Sequence, residues 1–286
     1  MKKIEFKSEG LKLVGNLFIP ENFKQGEKLP AILIATPGGG IKEQTAGIYA
    51  EKLSQKGFIT LVYDSRTYGE SEGEPRATEE AYMKITDIHS AISYLGTLEE
   101  VDHTKIFGLG ICAGGGYMST AVTSDRRMKA IATISAYFDQ REMMLTVVGK
   151  EALVGVTTLA GQARQKYYET GEMMTMPIFE EDESKRVSQL QKEAYEYYMT
   201  KRGNHPNYCQ NKFAMASSVF TFSGYDYAKL VSPTPLLAIV GSRAESAPQT
   251  HKMLELIDDK ETTKLFTVEG ASHIDLYDKD LSLIHI

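Results

Sequence analysis

Short apolar runs alternate with longer amphipathic segments along most of this chain of 286 residues. The runs are rich in β-branched residues and predict strands, whereas the segments between them carry apolar residues at helical spacing. Strands and helices in alternation are typical of a mostly parallel, twisted sheet with helices on both faces. The predicted strands are residues 30–36, 58–64, 105–111, 129–137, 235–241 and 264–270.

Two regions depart from this alternation. Residues 3–7 and 11–19 alternate apolar and polar positions and predict an antiparallel hairpin that turns at Ser8-Glu9-Gly10. Residues 138–232 contain no clear strand and hold many of the methionines and tyrosines. We therefore predict one domain over residues 1–286, with a mostly helical cap at 138–232 inserted within it.

Composition and charge narrow the class of protein. The chain is 42% hydrophobic and carries a net charge of −6 without a basic block, which argues against nucleic acid as a partner. No stretch reaches the length of a signal-peptide core or a membrane span, so we expect a cytoplasmic protein without a membrane partner. Its two cysteines, Cys112 and Cys209, are no disulfide framework and are interpreted as free thiols.

Cys112 lies in the stretch FGLGICAGGGYM, where a strand pattern ends and a helix pattern begins. The spacing Gly110-x-Cys112-x-Gly114 has the form of a nucleophile elbow, G-x-S-x-G, with sulfur in place of the serine oxygen. A thiol at a helix N-terminus is favoured as the thiolate, and the N–H of Ala113 there is available to an oxyanion. The alternative is a buried cysteine that packs as a small hydrophobic residue.

Further stretches occur in a matching order. ATPGGG at 35–40 follows a strand, YDSRTYGESEGEP spans 63–75, and GASHIDLYD spans 270–278. Together with the elbow, they resemble the α/β-hydrolase superfamily, and GICAGG is similar to the elbow of its dienelactone-hydrolase-like group, which uses a cysteine nucleophile. The resemblance implies an α/β-hydrolase fold and chemistry on carboxylic esters.

The resemblance also implies a triad in the chain order nucleophile, acid, histidine. His273 follows the last predicted strand and is the expected base. Glu245 is the carboxylate that follows strand 235–241 and is the expected acid, although the group generally has aspartate there. Asp226, at the edge of the cap, is the fallback, and Asp139 is a weaker alternative.

The glycine loop at 35–40 is the expected source of a second oxyanion donor. Pro37 has no N–H to donate, so the donor is expected to be Gly38 or Gly39. The loop lacks the ending of a phosphate-binding P-loop, and no group of His, Cys, Asp or Glu has metal-ligand spacing. No cofactor and no metal are therefore expected. Asp64 and Arg66 are interpreted as structural ties, with Arg66 bonding loop carbonyls.

These roles predict an enzyme that acts on a small-molecule acyl substrate through a thioester at Cys112. Water would then release the acyl group from an ester, lactone or thioester substrate. An acyltransferase, a redox-sensing thiol and a non-catalytic ligand-binding protein are alternatives. The chain ends about a dozen residues after His273, where the fold usually continues with a helix. An apolar strip left exposed there would favour a homodimer.

Overall fold

A computed structural model describes residues 1–147, 149–213 and 220–279. Eight strands form the main sheet, and two further strands, β7 and β8, lie in the cap. The strands are β1 (Lys2–Ser8), β2 (Leu11–Phe18), β3 (Leu29–Ala35), β4 (Ile59–Tyr63), β5 (Val101–Ile111), β6 (Met128–Ile134), β7 (Thr175–Pro177), β8 (Asn211–Phe213), β9 (Leu236–Gly241) and β10 (Thr263–Val268).

Helices connect the strands and build most of the cap. Between residues 140 and 230, helices surround the short pair β7–β8. The α-helices are α1 (Thr45–Ser54), α2 (Ala81–Leu95), α3 (Ala113–Ser124), α4 (Gln140–Val147), α5 (Gly149–Thr170), α6 (Gln189–Met199), α7 (Ala247–Ile257) and α8 (Asp275–Asp278), and 3-10 helices span Glu183–Lys185 and Gly224–Leu230.

The order of strands in the main sheet is β1-β2-β4-β3-β5-β6-β9-β10. The predicted hairpin β1–β2 is antiparallel and joins the sheet antiparallel to β4, while all later neighbours are parallel. The chain moves outward from β3 to β4 and then crosses back to β5 on the other side of β3. Loops that leave β3 and β5 therefore diverge at the carboxyl ends of neighbouring strands, where open α/β sheets form their ligand crevices.

Apolar residues of the central strands pack against both faces of the sheet. Along β3, Leu33 belongs to the cluster under α2 and α3, whereas Ile32 and Ile34 belong to the cluster under α1 and the cap. Successive strand side chains point to opposite faces, so the continuous apolar run buries both. Cys112 contacts both clusters and therefore sits at the end of the sheet between its two covered faces.

The cap contains a short strand pair that its sequence does not indicate. Residues 175–177 pair antiparallel with 211–213, with Met176 opposite Lys212. The strands are three residues each and include Pro177, so neither produces an apolar or alternating run. Two of the cap tyrosines, Tyr197 and Tyr198, are buried in the cluster with α1 and pack there.

No helix in the described part of the chain is long and apolar enough to cross a membrane. Residues 280–286 belong to the closing segment on which the homodimer hypothesis depends, and they lie outside the described residues.

Candidate active site

The backbone turns sharply at Cys112, between β5 and α3. Cys112 has φ 55° and ψ −124°, a conformation that non-glycine residues rarely adopt. Its N–H donates to the Ile134 carbonyl, and its carbonyl accepts from the N–H of Tyr137. A Cβ on Gly114 would lie 2.5 Å from the Thr36 carbonyl oxygen, so this position has no room for a side chain. The structure therefore places Cys112 on the strained strand-to-helix turn that the sequence predicts.

Two backbone N–H groups converge on the Cys112 sulfur. One belongs to Ala113 at the start of α3, and the other belongs to Gly38 in the loop after β3. The Gly39 N–H donates instead to the Glu79 carboxylate at 3.2 Å. Of the two glycines predicted as donors, the structure thus directs only Gly38 toward the sulfur. Paired backbone donors of this kind are the usual means of stabilising an oxyanion.

Glu79 holds the glycine loop, a role that no motif in the sequence indicates. Its carboxylate accepts from the Tyr117 hydroxyl at 2.9 Å and pairs with Lys84 at 3.0 Å, besides bonding Gly39. Glu79 lies two residues before α2, which begins at Ala81. Glu79 therefore precedes the helix and turns inward. A glutamate in this position is ordinarily solvated, so its sequence context does not distinguish it from a surface residue.

His273 is buried beside the elbow, with only 1% of its surface exposed. Its Nδ1 lies 2.9 Å from the Ser246 hydroxyl, and its Nε2 lies 3.3 Å from the Tyr277 hydroxyl. The Tyr137 ring stacks on the imidazole with centroids 5.0 Å apart. Burial lowers the pKa of His273 from 6.5 to about 3, so the imidazole is neutral near pH 7 and able to accept a proton.

Tyr277 connects His273 to Cys112. Its hydroxyl hydrogen-bonds the Cys112 sulfur as well as lying near Nε2. Tyr277 follows His273 by four residues, about one helical turn, so spacing alone would have placed the two side chains on one side of the chain.

Burial of the Cys112 sulfur favours the protonated thiol. Helix α3 begins at the cysteine and is expected to favour the thiolate, but burial outweighs the Tyr277, Ala113 and Gly38 hydrogen bonds and raises the pKa of Cys112. Because burial also keeps His273 neutral, the two groups form an uncharged pair rather than a thiolate–imidazolium pair.

The predicted hydrogen bond between Glu245 and His273 is not formed. The Glu245 carboxylate accepts from the Leu190 N–H at 2.9 Å, in the first turn of α6, while Ser246 occupies Nδ1 of His273. The first N–H groups of a helix lack intrahelical partners and attract negative charge, which accounts for this position of Glu245. The carboxylate thus joins the cap to the loop after β9.

Neither alternative acid contacts His273 in the described part of the chain. Asp139 accepts from Arg141 and from the N–H of Glu142. Asp226 lies in the 3-10 helix Gly224–Leu230, near Tyr82.

A cluster of charged side chains lies beside the glycine loop. Lys42, 1% exposed, places its ammonium 2.6 Å from Glu43, 2.8 Å from Asp64 and 2.7 Å from Glu70. The three carboxylates offer oxygens within 4.8 Å of one another, a spacing that would suit a metal ion. Lys42 already supplies the positive charge at their centre, so these residues fit an internal ion cluster rather than a metal site.

The sequence suggested that Arg66 bonds loop carbonyls. The structure shows instead that it ties the end of β1 to α2. Its guanidinium pairs with Asp87 at 2.7 Å and Glu9 at 2.8 Å, and it also donates to the Ser8 hydroxyl. Carboxylates are stronger acceptors than carbonyls for a guanidinium, and Asp87 takes two of its N–H groups.

The mostly parallel sheet, the elbow after its central strand and the histidine loop after β10 define the α/β-hydrolase fold. The structure of the α/β-hydrolase GrgF from Penicillium sp. sh18 superimposes with a TM-score of 0.81 at 22% identity, covering 99% of this chain and 95% of that one. The protein accordingly has the α/β-hydrolase fold.

Residues 9–217 match the model of the X-Pro dipeptidyl-peptidase (S15) family, and the chain belongs to this family. The uncharacterized protein YcjY of Escherichia coli K12 is 37% identical over 269 residues, which cover 92% of this chain and 87% of YcjY. The crystal structure of the hypothetical protein PA2218 from Pseudomonas aeruginosa has a TM-score of 0.89 at 33% identity, covering 97% of this chain and 88% of that one.

Proposed function

We propose that the protein is a dienelactone-hydrolase-like carboxylic ester hydrolase that forms an acyl-cysteine intermediate at Cys112. The observation that carries the proposal is the surroundings of the sulfur, where two backbone N–H donors meet a buried, neutral imidazole. This set of groups supplies a nucleophile, a base and an oxyanion site at the carboxyl end of the central strand.

The reaction begins when the Cys112 proton moves to His273 and the thiolate attacks the acyl carbonyl carbon. The carbonyl oxygen becomes an oxyanion that the N–H groups of Ala113 and Gly38 stabilise. As the tetrahedral intermediate collapses, the carbon–oxygen or carbon–sulfur bond of the leaving group breaks, and His273 returns the proton to it. Water activated by His273 then attacks the thioester and releases the carboxylic acid.

The sequence and the geometry point to different residues as the third member of the triad, the group that orients the His273 imidazole. The sequence favours Glu245 as the acid. The hydrogen bonding favours Ser246 as the group that orients the imidazole, since its hydroxyl lies at Nδ1. We propose Cys112 and His273 as the reacting pair and Ser246 as the positioning residue.

A sulfur nucleophile favours activated acyl groups, namely lactones, aryl or enol esters and thioesters. The thiolate is a good leaving group, so an intermediate formed on a peptide amide would expel sulfur rather than the amine. Two relatives support acyl chemistry. The thiohydrolase aneE of Aspergillus aculeatus is 29% identical over 172 residues (57% of this chain, 52% of aneE), and the acyltransferase drtE of Aspergillus calidoustus is 23% identical over 295 residues (97% and 91%).

Brief exposure to p-nitrophenyl acetate and butyrate, with intact-mass analysis and release of p-nitrophenol, tests the proposal. The wild type is expected to gain one acyl group, mapped to Cys112, and to turn over. In Cys112→Ala both signals should fall to the buffer rate. Cys209→Ala is the matched control, because that thiol lies in the cap and bonds the Asn211 carbonyl, so it should behave as wild type.

An adduct only at Cys209, or turnover that persists in Cys112→Ala, would contradict the proposal. Adding an alcohol acceptor separates the alternative acyltransferase from the hydrolase. A transferase would form the new ester faster than the free acid, whereas the hydrolase should release mainly acid.

A further inference from the structure

We propose that the Tyr277 hydroxyl carries the proton between Cys112 and His273, which makes Tyr277 a catalytic residue. The inference rests on the proposed acyl chemistry, and it adds a third reacting side chain to the Cys112–His273 pair.

The position of the hydroxyl carries the inference. It lies 3.3 Å from Nε2 of His273 and hydrogen-bonds the Cys112 sulfur. Nδ1 of the imidazole is occupied by Ser246, so Nε2 is the nitrogen left to receive the cysteine proton. The phenol therefore has the sulfur on one side and this nitrogen on the other as hydrogen-bond neighbours.

The surroundings hold Tyr277 in this place. The residue is 2% exposed, and the Tyr197 ring packs edge-on against it with centroids 5.3 Å apart. Its own carbonyl accepts from the Thr45 hydroxyl at 2.9 Å, and the preceding carbonyl of Leu276 accepts from Tyr49 at 2.7 Å. Both anchors belong to α1, so the backbone of α8 is fixed on the body of the protein. A phenol held this firmly suits a fixed relay better than a gate that must swing aside.

The chemistry requires a group that gives and accepts a proton without ionising. Burial raises the pKa of Tyr277 well above its usual value, so the phenol is neutral at working pH. The Cys112 proton moves to the phenol oxygen while the phenol proton moves to Nε2. One S–H bond and one O–H bond break, and one O–H bond and one N–H bond form. The products are a thiolate, an imidazolium and an unchanged neutral Tyr277.

The test is the single-turnover rate of Cys112 acylation by p-nitrophenyl acetate in mixtures of H₂O and D₂O. In the wild type two protons move together, so the rate should curve with deuterium content. Tyr277→Phe should acylate at least about 10²-fold more slowly, the scale of a lost acid–base group, with a linear dependence. Replacing Tyr277 with 3-fluorotyrosine, which keeps the hydroxyl, should restore the rate to within several-fold and restore the curvature.

Tyr197→Phe is the matched control. It removes a hydroxyl from a ring that touches Tyr277 but makes no hydrogen bond with Cys112 or His273 in the described structure, and it should acylate like wild type. Thermal unfolding checks that each variant is folded. If Tyr277→Phe loses its fold, the 3-fluorotyrosine protein decides the question by its curvature alone.

Acylation of folded Tyr277→Phe at the wild-type rate or faster would overturn the relay, as would a linear isotope dependence in the wild type. Failure of the relay is distinct from failure of the proposed function. In the first case wild type still forms the Cys112 adduct that Cys112→Ala lacks, and in the second case it forms none.

Discussion

Two buried polar clusters lie on either side of the loop after β3, and they differ in charge. At one end of the loop, Lys42 is surrounded by Glu43, Asp64 and Glu70 as ion pairs. At the other end, beyond Gly38, Cys112 and His273 are both held uncharged by burial. The first cluster fixes the loop, whereas the second keeps its protons free to move. Burial alone therefore does not decide whether a group is ionised. A buried group stays charged when an opposite charge lies at hydrogen-bond distance, and is neutral when none does.

The charged cluster is stable because its members are paired. Ion pairs with the carboxylates raise the pKa of Lys42 even though burial opposes this. Asp64 also accepts from the N–H groups of Lys42 and Glu70, so its carboxylate is saturated. His273 has no carboxylate within hydrogen-bond distance in the described structure, and burial acts on it unopposed.

The largest expected effect is the dependence of stability on acid. His273 titrates near 6.5 when unfolded and at about 3 when folded, so the unfolded state binds its proton first. The contribution of His273 to the free energy of unfolding is constant above pH 6.5. As the pH falls from 6.5 to 3, this free energy decreases by up to about 5 kcal/mol. Urea unfolding at a series of pH values should show this loss in wild type beyond that in His273→Gln. Parallel curves for the two proteins would mean that His273 is not buried as a neutral group.

Next in size is the cost of breaking the charged cluster. Asp64→Asn keeps the shape but removes the one fully buried carboxylate of the three that pair with the Lys42 ammonium. The free energy of unfolding should fall by about 3–5 kcal/mol, the usual cost of removing one partner from a buried ion pair. The matched control is Glu5→Gln, which breaks the exposed pair of Glu5 with Lys12 and should cost less than about 1 kcal/mol. Urea unfolding that shows the same loss of free energy for both variants would mean that the buried ion pairs of Lys42 stabilise the protein no more than an exposed pair.

Features of the fold that depend on local sequence could be predicted from the sequence. The elbow at Cys112 follows from local rules, since Gly110 and Gly114 are needed where a strand and a helix approach closely. The positions of the main-sheet strands along the chain follow from the periodicity, and the place of His273 after the last of them follows from chain order. The cap was predictable only in outline, because its strands at 175–177 and 211–213 are too short to give a pattern.

The partners of His273 depend on contacts between distant elements, and sequence order does not specify those. Glu245 was favoured because it is a carboxylate in the expected loop. In three dimensions the free N–H groups of α6 compete for it, and the neighbouring Ser246 takes Nδ1. The role of Glu79 depends on distant contacts in the same way, since its bonds to Gly39 and Tyr117 link segments about 40 residues apart.

The smallest expected effects separate these two neighbours. Ser246→Ala removes the hydroxyl at Nδ1 and should slow acylation about 10-fold, the lower end of the effect of groups that orient a reacting imidazole. Glu245→Gln leaves the contact between Ser246 and His273 in place, so the acylation rate should change less than about threefold. Loss of the negative charge at the N-terminus of α6 should lower the free energy of unfolding by roughly 0.3–1 kcal/mol. Single-turnover rates and urea unfolding of both variants provide the comparison. A much larger loss in Glu245→Gln than in Ser246→Ala would identify Glu245 as the acid after all, engaged only when substrate displaces it from Leu190.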